Sequence, residues 1–114
     1  MQDQNVAVYM RTSSKKAKGA KASLENQRRK IVEAVLSELD HSGVGITFWE
    51  YEDAPLANAA RRRPGMPQLV DHVTTGLCQR IVVSDLSRIS DVPAEVSAFL
   101  ALLEAYDVAF QSLA

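Results

Sequence analysis

Four short runs rich in β-branched and aromatic residues recur along the chain, and three stretches of helical apolar spacing lie between them. The runs are NVAVYM (residues 5–10), ITFWEY (46–51), RIVVS (80–84) and VAFQSL (108–113). Leu24, Ile31, Val32, Val35, Leu36 and Leu39 share a helical face between the first and second runs. Met66, Leu69, Val70, Val73 and Leu77 do so in the next interval, and Val96, Phe99, Leu100 and Leu103 in the last. The order βαβαβαβ suits a parallel sheet, because each helical crossover returns the chain to the same end of the sheet. The expected fold is therefore α/β: three layers, with a mostly parallel central sheet of about four strands and helices on both faces.

Local signals set the expected boundaries. Ser23 offers an N-cap for the first helix, with Glu25 in its first turn, and HSGVG breaks that helix after about Asp40. KKAKGAKA before it lacks apolar periodicity and reads as a flexible basic loop. EDAPLANAARRRPG reads as a long polar loop, and Gly76 as a stop for the second helix. Asp91 offers a cap for the third helix, with Pro93 in its first turn.

A chain of 114 residues forms one domain, expected to span residues 1–114. Apolar residues make up 46% and charged residues 24%, a globular mixture that excludes a disordered or fibrous chain. No apolar run reaches the roughly 20 residues of a membrane span, so no membrane partner is expected. MQDQNVAVYM lacks the basic and apolar regions of a signal peptide, and Cys78 is the single cysteine; both point to a reducing cytoplasm.

Net charge is only −1, but it is unevenly spread. Residues 11–30 carry eight Lys or Arg against one acid, and residues 61–63 are three arginines; from Ile81 onward there are five acids and one base. One basic flank on a neutral chain suits a polyanion partner. In open parallel sheets, ligands bind beyond the carboxyl ends of the strands. RTSS, EDAPLANAARRR and SDLSRIS leave three strands at that edge. Arg11 and Ser13 are two apart and share a side if the chain stays extended. Arg11, Arg63 and Arg88 converge there as a set able to grip phosphate oxygens and offset charge developing on them. No histidine is placed to activate a serine: His41 is in a loop and His72 in a helix, where a surface role is expected. No phosphate-binding glycine loop is present, and no Cys/His spacing suits a metal.

VYMRTSS, SLENQ, WEYEDAPLANAARRRPGM, IVVSDLSRIS and LLEAYDVAFQSL, in that order over almost the whole chain, resemble the N-terminal catalytic domain of serine recombinases, the resolvase/invertase family. The resemblance implies DNA cleavage by a serine that becomes joined to the 5′ phosphate, with strand exchange in a synaptic tetramer and no metal or other cofactor. It assigns Ser13 as nucleophile and Arg11 as its neighbouring phosphate ligand. Gln27 helps order the site, and Asp53, Arg63 and Arg88 complete it. Lys15, Lys16, Lys18, Lys21, Arg61 and Arg62 are expected to contact DNA phosphates without reading sequence.

Two departures bear on activity. The family motif Asp-Arg-Leu-Ser-Arg reads Ser87-Arg88-Ile89-Ser90-Asp91, so an aspartate stands where an arginine is a candidate to protonate the leaving 3′ oxygen. The family's Asp-x-Gly-x-Ser-Gly reads DAPLAN, without the glycines or the serine. The chain is also expected to lack the long dimerisation helix and the DNA-binding domain, so a homodimer or tetramer would require those parts. Two readings follow: a resolvase-type recombinase domain with a degenerate site, or a catalytically inactive phosphate-binding or regulatory module.

Overall fold

A computed structural model describes residues 4–12, 17–39, 42–53 and 65–114. Its elements are β1 (Gln4–Arg11), α1 (Ala17–Glu38), β2 (Ile46–Asp53), α2 (Gly65–Thr74), β3 (Arg80–Val83), a 3-10 turn (Leu86–Arg88), α3 (Pro93–Ala105) and β4 (Ala109–Ser112). The strands lie in the order β2-β1-β3-β4, and every pairing is parallel.

Alternation along the strands sorts the core into two layers. Val6, Val8 and Met10 of β1, with Val82 of β3, pack against Leu24, Ile31 and Val35 of α1. Ala7 and Tyr9, with Ile81 and Val83, face the other way, onto Leu69 and Val73 of α2 and Phe99 and Leu103 of α3. Val6 through Met10 are all 0% exposed, which is why β1 reads as an unbroken apolar run. The expected three-layer α/β fold is present.

Helix boundaries differ from expectation in informative ways. The basic segment read as a loop is helical from Ala17 onward. Alanine and lysine are strong helix formers and outweigh one glycine. Buried Ala20 also extends the stripe of Leu24, Gln27 and Ile31 by one turn. Ser23 is therefore inside α1 rather than at its cap, and its hydroxyl accepts from Gln27 Nε2 at 3.1 Å. Asp91 does not cap α3 either. Val92 occupies the cap position without a side-chain bond, Pro93 begins the helix, and the Asp91 carboxylate is held by Arg11.

The helix ends have clear causes. Gly76 adopts φ 79°; its N–H bonds the Val73 carbonyl at 3.2 Å and the Leu77 N–H bonds the His72 carbonyl at 2.9 Å. This pair of hydrogen bonds closes α2 with a left-handed residue just beyond it. Asp107, with φ 56°, does the same for α3: its N–H bonds the Glu104 carbonyl, and the Val108 N–H bonds that of Leu103. β2 runs to Asp53, two residues past its expected end.

Candidate active site

The strand order makes the chain leave β1 toward one side for β2 and return on the other side for β3. The carboxyl ends of β1 and β3 therefore flank a topological switch point, where diverging connections open a crevice. Arg11 is the last residue of β1, and Arg88 lies in the 3-10 turn that follows β3.

The two arginines brace one another. Arg11 Nε donates to the Arg88 carbonyl at 3.0 Å, and Arg88 Nη1 donates to the Arg11 carbonyl at 3.1 Å. Arg11 Nη2 also donates to the Ser87 carbonyl at 2.5 Å and to Asp91 Oδ1 at 3.1 Å. Arg11 Nη1 and Arg88 Nη2 have no partner among the described residues. The edge thus holds two fixed guanidinium groups, each with donors unused among the described residues. Asp91 is 79% exposed and Arg11 23%, so this ion pair faces water.

Asp85 anchors the turn. Its Oδ1 accepts from the Ser87 N–H at 3.1 Å and from the Ser87 hydroxyl; its Oδ2 accepts from Arg88 Nε at 3.2 Å and the Ser84 hydroxyl at 3.3 Å. Burial pushes this carboxyl up, but the Ser87 hydroxyl, the Arg88 guanidinium and the Ser84 hydroxyl outweigh it. The group ends below the ordinary carboxylate range.

Gln27 reaches the same strand tip from α1. Its Oε1 accepts the Arg11 N–H at 3.2 Å, and its Nε2 donates to the Arg11 carbonyl at 3.0 Å. The side chain extends the sheet's ladder by one rung and fixes the exit from β1. Asp53 is the register partner of Arg11, but its carboxylate turns inward and is 3% exposed. It accepts from the Tyr9 hydroxyl at 2.5 Å, the Gly65 N–H at 2.7 Å and the Met66 N–H at 3.0 Å. An anion on the first free N–H groups of α2 complements the helix dipole.

Of the residues singled out from sequence, Arg11, Gln27 and Arg88 meet at one strand tip, and Asp53 lies one strand away beneath α2. Lys18 and Lys21 are exposed on the first turns of α1. Ser13, Lys15, Lys16, Arg61, Arg62, Arg63 and His41 lie outside the described residues. His72 is half-buried rather than on the surface: its Nδ1 shares a 2.6 Å hydrogen bond with the Tyr51 hydroxyl, and Trp49 and Tyr51 meet its ring edge-on. Sequence reasoning missed Tyr9, although its spacing of two from Arg11 put both on one side of β1. It also missed the Ser87 and Arg88 carbonyls, which no side-chain pattern announces.

The sequence matches the family described as Resolvase, N terminal domain, over residues 6–114. Solved structures of similar fold include the N-terminal catalytic domain of TP901-1 integrase (21% identity, TM-score 0.71, covering 96% of this chain and 78% of that one). A resolvase family site-specific recombinase from Streptococcus pneumoniae superimposes with TM-score 0.75 at 23% identity, covering 97% of this chain and 72% of that one. The C-terminal catalytic domain of ISC1926 TnpA, an IS607-like serine recombinase, does so with TM-score 0.73 at 16% identity, covering 96% and 70%. No curated protein matches the sequence. With a family match over nearly its whole length and an arginine-braced switch point on the matching fold, this chain belongs to the resolvase N-terminal domain family, the catalytic domain of serine recombinases.

Proposed function

We propose that the chain is a DNA strand-cleaving and strand-exchanging domain of resolvase type whose site is held in a self-satisfied, degenerate form. Ser13 is the nucleophile. Its Oγ–phosphorus bond forms as the bond from phosphorus to the 3′ oxygen breaks, leaving the 5′ phosphate on the serine and a free 3′ hydroxyl. Attack by another 3′ hydroxyl reverses the step and joins exchanged strands. Bond number is conserved, so no nucleotide cofactor is consumed. Arg11 and Arg88, with Arg63 from the segment before α2, offset the charge gathering on the phosphate oxygens. Gln27 holds the exit from β1, and Asp53 positions the start of α2. Lys15, Lys16, Lys18, Lys21, Arg61 and Arg62 contact neighbouring phosphates of a DNA partner. A cytoplasmic domain that assembles as a dimer or tetramer through further segments completes the reading.

The observation that carries this proposal is the mutual bracing of Arg11 and Arg88 at the switch point, with donors left over among the described residues. One observation favours the second reading, an inactive phosphate-binding or regulatory module: Asp91 already occupies a donor of Arg11. A single assay separates them. The domain is joined to a family member's dimerisation helix and DNA-binding domain, and protein linked to 5′ DNA ends is counted on that member's site. A recombinase forms an adduct that Ser13→Ala abolishes, and Asp91→Arg with Ser87→Asp raises its yield tenfold or more. If only the double variant forms the adduct, the native chain is the binding module. Absence of adduct from both proteins contradicts the assignment of Ser13.

A further inference from the structure

Among the described residues, four large apolar side chains stand exposed: Leu36, Leu86, Val92 and Tyr106. Leu36 lies near the end of α1 and Tyr106 just past α3, where the chain has returned to the amino edge of the sheet. Leu86 and Val92 lie at the opposite edge, on the connection from β3 to α3. Single exposed apolar groups are common on any surface, but this pair is held out by a fixed backbone.

The connection is braced by its own hydrogen bonds. The Arg88 N–H bonds the Asp85 carbonyl at 3.1 Å, and the Ile89 N–H bonds that of Leu86 at 3.0 Å. The Val92 N–H bonds the Ser90 hydroxyl at 3.0 Å, and the Val92 carbonyl accepts from the N–H groups of Glu95 and Val96. Ile89, midway between the two positions, is buried and pins the connection to the core, while Leu86 and Val92 are nearly half exposed. Arg11 Nη2 reaches the Ser87 carbonyl and the Asp91 carboxylate. Those are the chain neighbours of Leu86 and Val92, so the guanidinium meets the connection between the two apolar positions. An apolar side chain on rigid backbone has less freedom to lose on binding.

We propose, resting on the DNA reading above, that Leu86 and Val92 are DNA-contact residues that pack on the deoxyribose faces flanking the phosphate gripped by Arg11. Every phosphodiester joins two deoxyriboses, whose faces are largely C–H. A cation between two apolar groups therefore matches an anion between two sugars. Arginine contacts release counterions on binding and weaken as salt rises. Apolar contacts release water and carry no such dependence. The pair supplies a share of DNA binding that does not fall with salt.

The test is fluorescence anisotropy of a labelled DNA duplex titrated with the chain over a series of salt concentrations. Leu86→Ser and Val92→Ser should each weaken binding about threefold at every salt concentration, without changing the slope of log affinity against log salt. Arg11→Ala should instead reduce that slope by about one. Leu86→Met and Val92→Ile should bind as the wild type does. Serine suits the helix cap at position 92, so a loss of affinity in Val92→Ser does not reflect a loss of α3. Leu36→Ser and Tyr106→Ser, at the far edge, should change nothing. Wild-type affinity in both Leu86→Ser and Val92→Ser, with the Arg11→Ala effect intact, would overturn the apolar contact and leave the DNA reading standing. Equal losses in Leu36→Ser and Tyr106→Ser would overturn it as well. A wild-type chain that binds no duplex at the lowest salt concentration removes the DNA reading, and this proposal with it.

Discussion

Asp53 and Tyr51 show how single buried groups organise the face of the sheet beneath α2. The Asp53 carboxylate gathers a phenol and two backbone N–H groups out of water. Asp53→Asn replaces part of that acceptor with a donor facing donors, and is expected to cost about 1–3 kcal/mol in chemical denaturation. Tyr51 is buried against Cys78, and its phenol is pushed up to about 12, first by burial and then by the neighbouring thiol. Its raised pKa favours the neutral form in the folded chain. The stability it supports is fully present below the unfolded value of 10.0 and declines as pH rises toward 12. Denaturation midpoints should therefore fall between those two pH values, and Tyr51→Phe should flatten the decline. A wild-type profile matching that of Tyr51→Phe would contradict the burial argument. The convergence of Arg11 and Arg88 was legible in the sequence because both follow strands whose ends meet at a switch point. The partner of Asp91 was not legible: its choice between a helix cap and Arg11 depends on how the turn through Leu86–Arg88 folds.

Among the elements, α2 depends most on close approach. A Cβ on Gly65 would stand 2.7 Å from the Glu52 carbonyl oxygen, inside contact distance of backbone that cannot easily yield. Gly65→Ala should thus push α2 from the end of β2, weaken the bonds to Asp53, and lower stability by about 1–3 kcal/mol. Asp107 presents the opposite case. It holds a left-handed conformation at the end of α3 with a side chain that pays for it sterically. Asp107→Gly should raise stability by about 0.5–1 kcal/mol, read from the denaturant midpoint at unchanged slope. The strands and helix faces were readable because their periods differ and each buries a distinct row. The start of α1 was not, since alanine and lysine carry helix propensity without apolar contrast, and only Ala20 touches the core. The packing of Gly65 was equally silent, because a glycine in sequence does not say which backbone comes near it.

At the scale of the whole molecule, the parallel sheet places a basic helix start and two braced arginines on one edge. Among the described residues, no helix is long and apolar enough to cross a membrane, and no cluster of side chains is arranged to hold a metal ion. If Arg11 binds DNA phosphate as proposed, the Asp91 carboxylate competes with that phosphate for the Arg11 donor it already holds. Asp91 is largely exposed and Arg11 partly so, so their pairing is worth at most about 1 kcal/mol of stability, and its effect should appear in binding instead. The most direct measurement is DNA affinity at two salt concentrations for the wild-type chain, Asp91→Asn, Arg11→Ala and the double variant. Removing a negative charge raises DNA affinity generally, so the coupling between the two positions is what decides. The account predicts that Asp91→Asn tightens binding about threefold to tenfold in the wild-type background, and much less once Arg11 is gone. An equal gain in both backgrounds would show that Asp91 acts only as a surface charge, and would contradict the account.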